Sequence, residues 1–158
     1  MAEIRELHAK DDLNELVALS RAFFTEYEAH HDAFFQIDDL QDADIVDYFT
    51  RSVDADNGAT FVATLDGSIV GYITIFVRRQ PGFYKVKQAG AISGLMVHKS
   101  HRRKGIASQL LAKATGFFQE KGVTYFTVFT ATANQAAVKF YKRNGMAPLH
   151  TTMIGEIS

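Results

Sequence analysis

The sequence predicts a mixed α/β (α+β) domain spanning 1–158, with a mostly antiparallel central sheet and elements in the order β-α-α-β-β-β-α-β-α-β. Three observations predict it. Apolar residues recur with helical period in four segments, two β-rich runs meet at Asp66-Gly67, and a strand, a helix and another strand succeed one another between Ala89 and Thr130. With 158 residues, 47% of them apolar, and with 13 Phe and 6 Tyr, the chain has material for one substantial core.

Glu3 to Leu7 reads as a first strand. Asp12 with Glu15 three residues on has the form of a capping box, and Leu13, Leu16, Val17, Phe23, Phe24 and Tyr27 follow on one helical face. Ala29 to Asp39 is expected to be irregular. The acidic run Asp38 to Asp44 suits the start of a second helix carrying Ile45, Val46, Phe49 and Val53. Asp66-Gly67 then joins strands at Phe61 to Leu65 and Ile69 to Phe76 as a hairpin.

Arg78 to Gln88, containing Pro81-Gly82, reads as a loop before a strand from Ala89 to Val97. Ile106, Leu110, Leu111, Ala114, Phe117 and Phe118 mark a third helix, which Gly122 stops. A strand from Val123 to Thr130 follows, parallel to the one before that helix because a crossover joins them. Asn134 to Asn144 forms a fourth helix ending at Gly145, and Leu149 to Ile157 is a last extended run whose edge could pair in a homodimer.

Composition narrows the function. A net charge of −1 provides no overall field for nucleic acid or an anionic membrane, so anion binding must be local. The absence of cysteine removes disulfides, thiolate zinc sites and cysteine nucleophiles. His30-His31-Asp32 lacks a third and fourth ligand, so no metal is expected. The N-terminus has no apolar leader run and no stretch approaches the ~18 apolar residues of a span, so a cytoplasmic protein is expected, without a membrane or nucleic-acid partner.

Arg102-Arg103-Lys104-Gly105-Ile106-Ala107 opens the third helix directly after a strand and a short basic loop. A helix start has unpaired N–H donors and the positive end of the dipole, and glycine admits a bulky phosphate to the backbone. Three basic residues just before it add charge, giving a cradle for a diphosphate. No Gly-Lys-Ser or Gly-Lys-Thr and no triple-glycine fingerprint occurs, which argues against nucleoside triphosphate and dinucleotide loops.

The spacing Arg102-x-x-Gly105-x-Ala107 resembles the acetyl-CoA-binding motif of the GCN5-related N-acetyltransferase (GNAT) superfamily. Downstream, Asn134 to Met146 resembles the family's asparagine, alanine and tyrosine helix ending in a glycine. The resemblance implies an N-acetyltransferase that moves acetyl from acetyl-CoA directly to a primary amine of a small molecule or peptide. It implies that Leu95, Met96 and Val97 bind the pantetheine arm through their backbone, on a strand splayed from its neighbour. Arg102, Arg103, Lys104, Gly105, Ile106, Ala107 and Ser108 then take the pyrophosphate, Asn134 contacts the arm, and Tyr141 is the general acid.

A phenol of ordinary pKa ~10 can protonate a thiolate whose acid lies near ~8.5. Tyr141 also suits core packing, and Asn134 also suits a helix N-cap. The general base stays open, since Ala89 to Val97 has no carboxylate; Ser93, His98, Glu26, Glu28, His30 and His31 are candidates. Acidic residues between the first two helices favour a cationic acceptor: a small amine, a polyamine or aminoglycoside-like molecule, or a peptide amine. Two other readings stand beside this one: a non-catalytic acyl-CoA sensor or partner-binding domain, and a nucleic-acid module built on Arg78, Arg79, Lys85, Lys87 and His101 to Lys104.

Overall fold

Asp66 and Gly67 both take positive φ, 51° and 84°, as a type I′ turn requires, and the hairpin they close anchors the middle of the sheet. The computed structural model describes all 158 residues. Its elements are β1 (Glu3–Glu6), α1 (Asn14–Glu28), α2 (Asp42–Asp54), β2 (Gly58–Leu65), β3 (Ser68–Arg79), β4 (Gln88–Val97), α3 (Ile106–Glu120), β5 (Phe126–Val128) and α4 (Gln135–Arg143). The strands lie in chain order, β1-β2-β3-β4-β5. The first three pairings are antiparallel and β4 runs parallel to β5, as a crossover through α3 demands.

Helices cover both faces of this sheet. On one face Leu16 and Leu19 of α1 and Ile45 and Phe49 of α2 pack with Val62, Tyr72 and Met96. On the other, Ile106, Leu110, Leu111, Ala114 and Phe118 of α3 and Tyr141 of α4 pack with Ile73, Ile75, Ile92 and Val97. A buried hydroxyl ladder joins α2 to the sheet: Ser52 bonds Thr60 at 2.7 Å, and Thr60 bonds Thr74 at 2.7 Å.

The irregularity that shapes a site lies in β4. Ile92 sits opposite Ile75 and Gly94 opposite Thr74, so Ser93 is an extra residue without a partner on β3, a β-bulge. Strict alternation would keep Gly90, Ile92, Gly94 and Met96 on one face. Instead Gly90 and Ile92 face α3, whereas Gly94 lies under Tyr48 of α2 and Met96 joins the α1 and α2 cluster. Pairing with β5 also stops at Ile92 opposite Val128. Beyond the bulge, β4 has β3 on one edge and no strand on the other.

Four sequence expectations change. The N-cap of α1 is Leu13 without a side-chain bond, and Glu15 forms no capping box; its carboxylate instead accepts from the Ile69 N–H at 3.2 Å, tying α1 to the start of β3. β3 continues to Arg79 because Arg78 and Arg79 pair with Ala89 and Gln88, which shortens the expected loop. The strand expected over Val123 to Thr130 is only Phe126–Val128, since β5 pairs with β4 over three residues. The final strand of the expected order is absent: Leu149 to Ile157 carries apolar residues, but Leu149, Met153, Ile154 and Ile157 face outward with no ladder to join.

Candidate active site

β4 hands the chain to α3 through a turn that His98 holds. Its Nδ1 accepts from the Ser100 N–H at 3.1 Å and its own N–H donates to the Val70 carbonyl at 2.8 Å. Arg103 and Gly105 then take positive φ, 62° and 80°. The first N–H of α3 with a backbone acceptor is that of Gln109, which bonds the Gly105 carbonyl at 3.1 Å. The N–H groups of Gly105, Ile106, Ala107 and Ser108 have no acceptor within the protein. Four donors at the positive end of a 15-residue helix thus face outward, while Ile106 is buried and anchors the turn.

The basic side chains divide their work. Arg102 is engaged at the surface, its Nε donating to the Val97 carbonyl at 2.9 Å and a terminal nitrogen to Glu26 of α1 at 2.9 Å. It braces the end of β4 against α1, and Arg103 and Lys104 remain exposed beside the free N–H groups. Upstream, the side chains of Met96 and Val97 are buried on opposite faces and Leu95 is half-buried. What this stretch offers a ligand is its backbone, along the edge that β5 leaves uncovered.

Asn134 caps α4, its side-chain oxygen accepting from the Ala137 N–H at 3.2 Å. Tyr141, in the last turn of α4, is buried in the α3-side cluster with Val97 and Ile106. Its hydroxyl has no hydrogen-bond partner within the protein. Burial pushes its pKa up to about 12, so it keeps its proton across the physiological range.

A cavity of about 250 Å³ opens on the other face, above the bulge. Phe23 and Phe24 of α1, Leu40, Ile45 and Tyr48 of α2 and Tyr72 of β3 give it apolar walls. Ser20, Ser93 and Gly94 complete it, with Asp44 as its one charged residue. The Tyr48 and Ser93 hydroxyls lie 2.5 Å apart at its floor, and Ser93 also donates to the Thr74 carbonyl at 3.2 Å. Sequence reading missed Tyr48 altogether; its spacing from Ile45 put it on the buried face of α2, but nothing local indicated a partner on β4.

A family model described as the acetyltransferase (GNAT) family matches residues 13–146. The chain belongs to the GNAT family. An uncharacterized N-acetyltransferase of Archaeoglobus fulgidus is 26% identical over 132 residues, covering 84% of each chain. The BH1408 protein of Bacillus halodurans, solved as a mutant, shares the fold with a TM-score of 0.86 at 20% identity, over 99% of both chains. The aminoglycoside acetyltransferase AAC(6′)-Iy, solved with a bisubstrate analogue, CoA-S-monomethyl-acetylneamine, gives 0.76 at 19% identity, over 100% of this chain and 99% of that one. An aminoglycoside acetyltransferase from an uncultured soil metagenomic sample, solved with trehalose, gives 0.69 at 25% identity over 99% and 95%. The expected class, an acetyl-CoA-dependent N-acetyltransferase, is borne out, as is the α/β fold.

As a GNAT enzyme the chain still needs a route for the amine's proton, and the candidate bases are engaged elsewhere. Glu26 holds Arg102, and Glu28 accepts from the Ile37 N–H at 3.1 Å. His31 accepts from the N–H groups of Ala33 and Phe34, and His98 caps its own turn. His30 packs edge-on against Tyr27. Of the six, only Ser93 lines the cavity. No group of three or more His, Cys, Asp or Glu is arranged to hold a metal, and no helix is long and apolar enough to cross a membrane.

Proposed function

We propose that the enzyme acetylates the primary amine of a small molecule, with acetyl-CoA held by its pyrophosphate on the N–H groups of Gly105 to Ser108 and Tyr141 as general acid. The observation that carries this reading is the run of four unpaired donors directly beyond a strand edge stripped of its neighbour. A diphosphate needs the first and an extended amide-bearing arm needs the second. Acetyl-CoA supplies an activated acyl group whose thioester carbon accepts the amine lone pair.

The residues then have distinct tasks. Gly105 to Ser108 hold the diphosphate, with Arg103 and Lys104 adding charge at the rim, and free backbone groups between Leu95 and Val97 align the arm. As the nitrogen–carbon bond forms and the carbon–sulfur bond breaks, the nitrogen releases a proton to water and the sulfur gains one from Tyr141, which solvent restores. A phenol at about 12 looks a poor acid for a thiolate of ordinary pKa. The same low-dielectric surroundings destabilise the departing thiolate too, which narrows the gap between the two anions. The analogue that binds AAC(6′)-Iy joins CoA to an acetylneamine and supports a small-molecule acceptor.

Thiol release from acetyl-CoA across a set of amines tests the reading. Tyr141→Phe keeps the ring in the core and removes only an unbonded hydroxyl, so kcat is expected to fall about a hundredfold, with acetyl-CoA affinity unchanged. Equal losses of affinity and melting temperature would mark Tyr141 as packing alone.

A further inference from the structure

Resting on the N-acetyltransferase reading, we propose that the acceptor is a compact monoamine with an apolar, ring-sized body, seated above the β4 bulge with its nitrogen on the Tyr48 hydroxyl. The cavity and the counting of hydrogen-bond donors at its floor carry the proposal.

The acidic residues between α1 and α2 suggest a polycation, but most of them lie outside this cavity. Glu26 is bound to Arg102, Asp42 to Arg21, and Glu28 to the backbone of Ile37. Only Asp44 lines the cavity. With one carboxylate in its lining, the cavity would take several cationic centres into an aromatic box without partners, at the cost of desolvating each. The volume agrees, since about 250 Å³ falls below the roughly 300–1,000 Å³ of sites for drug-sized ligands. Phe23, Phe24 and Tyr72 provide faces for a ring or a branched chain, not for the hydroxyls of linked sugars.

Donor direction fixes the floor. Either oxygen can donate in the 2.5 Å contact of Tyr48 with Ser93; with the Ser93 proton directed to the Thr74 carbonyl at 3.2 Å, the contact takes the Tyr48 proton. The Tyr48 oxygen is left with lone pairs and no proton to give. Such an oxygen accepts from the N–H of a neutral amine and leaves the nitrogen lone pair free to attack. Burial raises the Tyr48 pKa, so it positions the nucleophile without taking its proton. Gly94 keeps the floor open, because a Cβ there would stand 3.2 Å from the Tyr48 hydroxyl. In the transfer, the amine nitrogen bonds the acetyl carbon, the carbon–sulfur bond breaks, and the proton lost by nitrogen is matched by the one gained by sulfur. The products are an N-acetylamine and a free thiol.

The test is thiol release with phenethylamine, spermidine, neamine and a short peptide amine, on the full chain with acetyl-CoA. Phenethylamine is expected to have kcat/KM about tenfold or more above the others, and Tyr48→Phe to lower it about tenfold, the effect of one hydrogen bond, with acetyl-CoA affinity intact. Phe24→Ala, which widens the cavity, is expected to raise kcat/KM for bulkier amines relative to phenethylamine, a gain that mere destabilisation cannot produce. Preference for spermidine or neamine, or unchanged phenethylamine kinetics in a folded Tyr48→Phe, would overturn the acceptor assignment and leave the acetyltransferase reading standing. Binding of acetyl-CoA without turnover of any amine would overturn both.

Discussion

At Gly105 the chain takes a φ of 80° to aim successive N–H groups outward, in space where a Cβ would touch nothing. Glycine is therefore required by conformation and not by crowding. Gly105→Ala is expected to cost about 1 kcal/mol of stability and to weaken acetyl-CoA binding by more than its effect on folding, measured by calorimetry beside thermal melts. Tyr141 provides a second test. Its pKa rises from 10.0 to about 12 on folding, so the folded chain retains a proton that the unfolded chain releases. The stability this contributes is complete below pH 10 and is lost as pH climbs toward about 12. Tyr48 and Tyr72 are shifted in the same direction by burial and add to the trend. Urea unfolding should show stability falling steeply over that window, and a Tyr141→Phe chain should lose less of it.

Among the elements, β4 determines the most. Its first half is fixed between β3 and β5, with Gly90 so close to α3 that a Cβ would lie 2.5 Å from the Phe118 ring. Gly90→Ala should therefore force the ring aside and destabilise the chain by about 1–3 kcal/mol, measurable by chemical denaturation. Its second half is free on one edge, and the sequence showed that only by resemblance. Helices were legible because α1, α2, α3 and α4 each carry an apolar stripe of period 3.6, and Asp66-Gly67 announces its own hairpin. The Ser93 bulge was not legible, since it is a mismatch between two strands and no residue in β4 encodes it alone. The same holds for the short β5 and the unformed last strand: β propensity marks residues that can join a ladder, while the partner decides whether they do.

Across the whole molecule, the two faces of the sheet separate two tasks. The α3 and α4 face carries the free helix start and Tyr141; the α1 and α2 face carries the aromatic cavity; the bulge and the open edge of β4 lie between them. The proposed diphosphate turn, Arg102 to Ser108, was visible in the sequence because it is a contiguous segment. The aromatic cavity was not, because Phe24, Tyr48 and Ser93 come from three elements that meet only on folding. A count of carboxylates does not show which are already bonded, as Asp42 is to Arg21 and Glu26 to Arg102. The central claim is that backbone N–H groups at the start of α3 hold the coenzyme. Its most direct test is amide NMR of the nitrogen-labelled chain titrated with acetyl-CoA. The account predicts large, saturating shifts at Gly105, Ile106, Ala107 and Ser108, with smaller ones from Leu95 to Val97; saturation with those amides unmoved would contradict it.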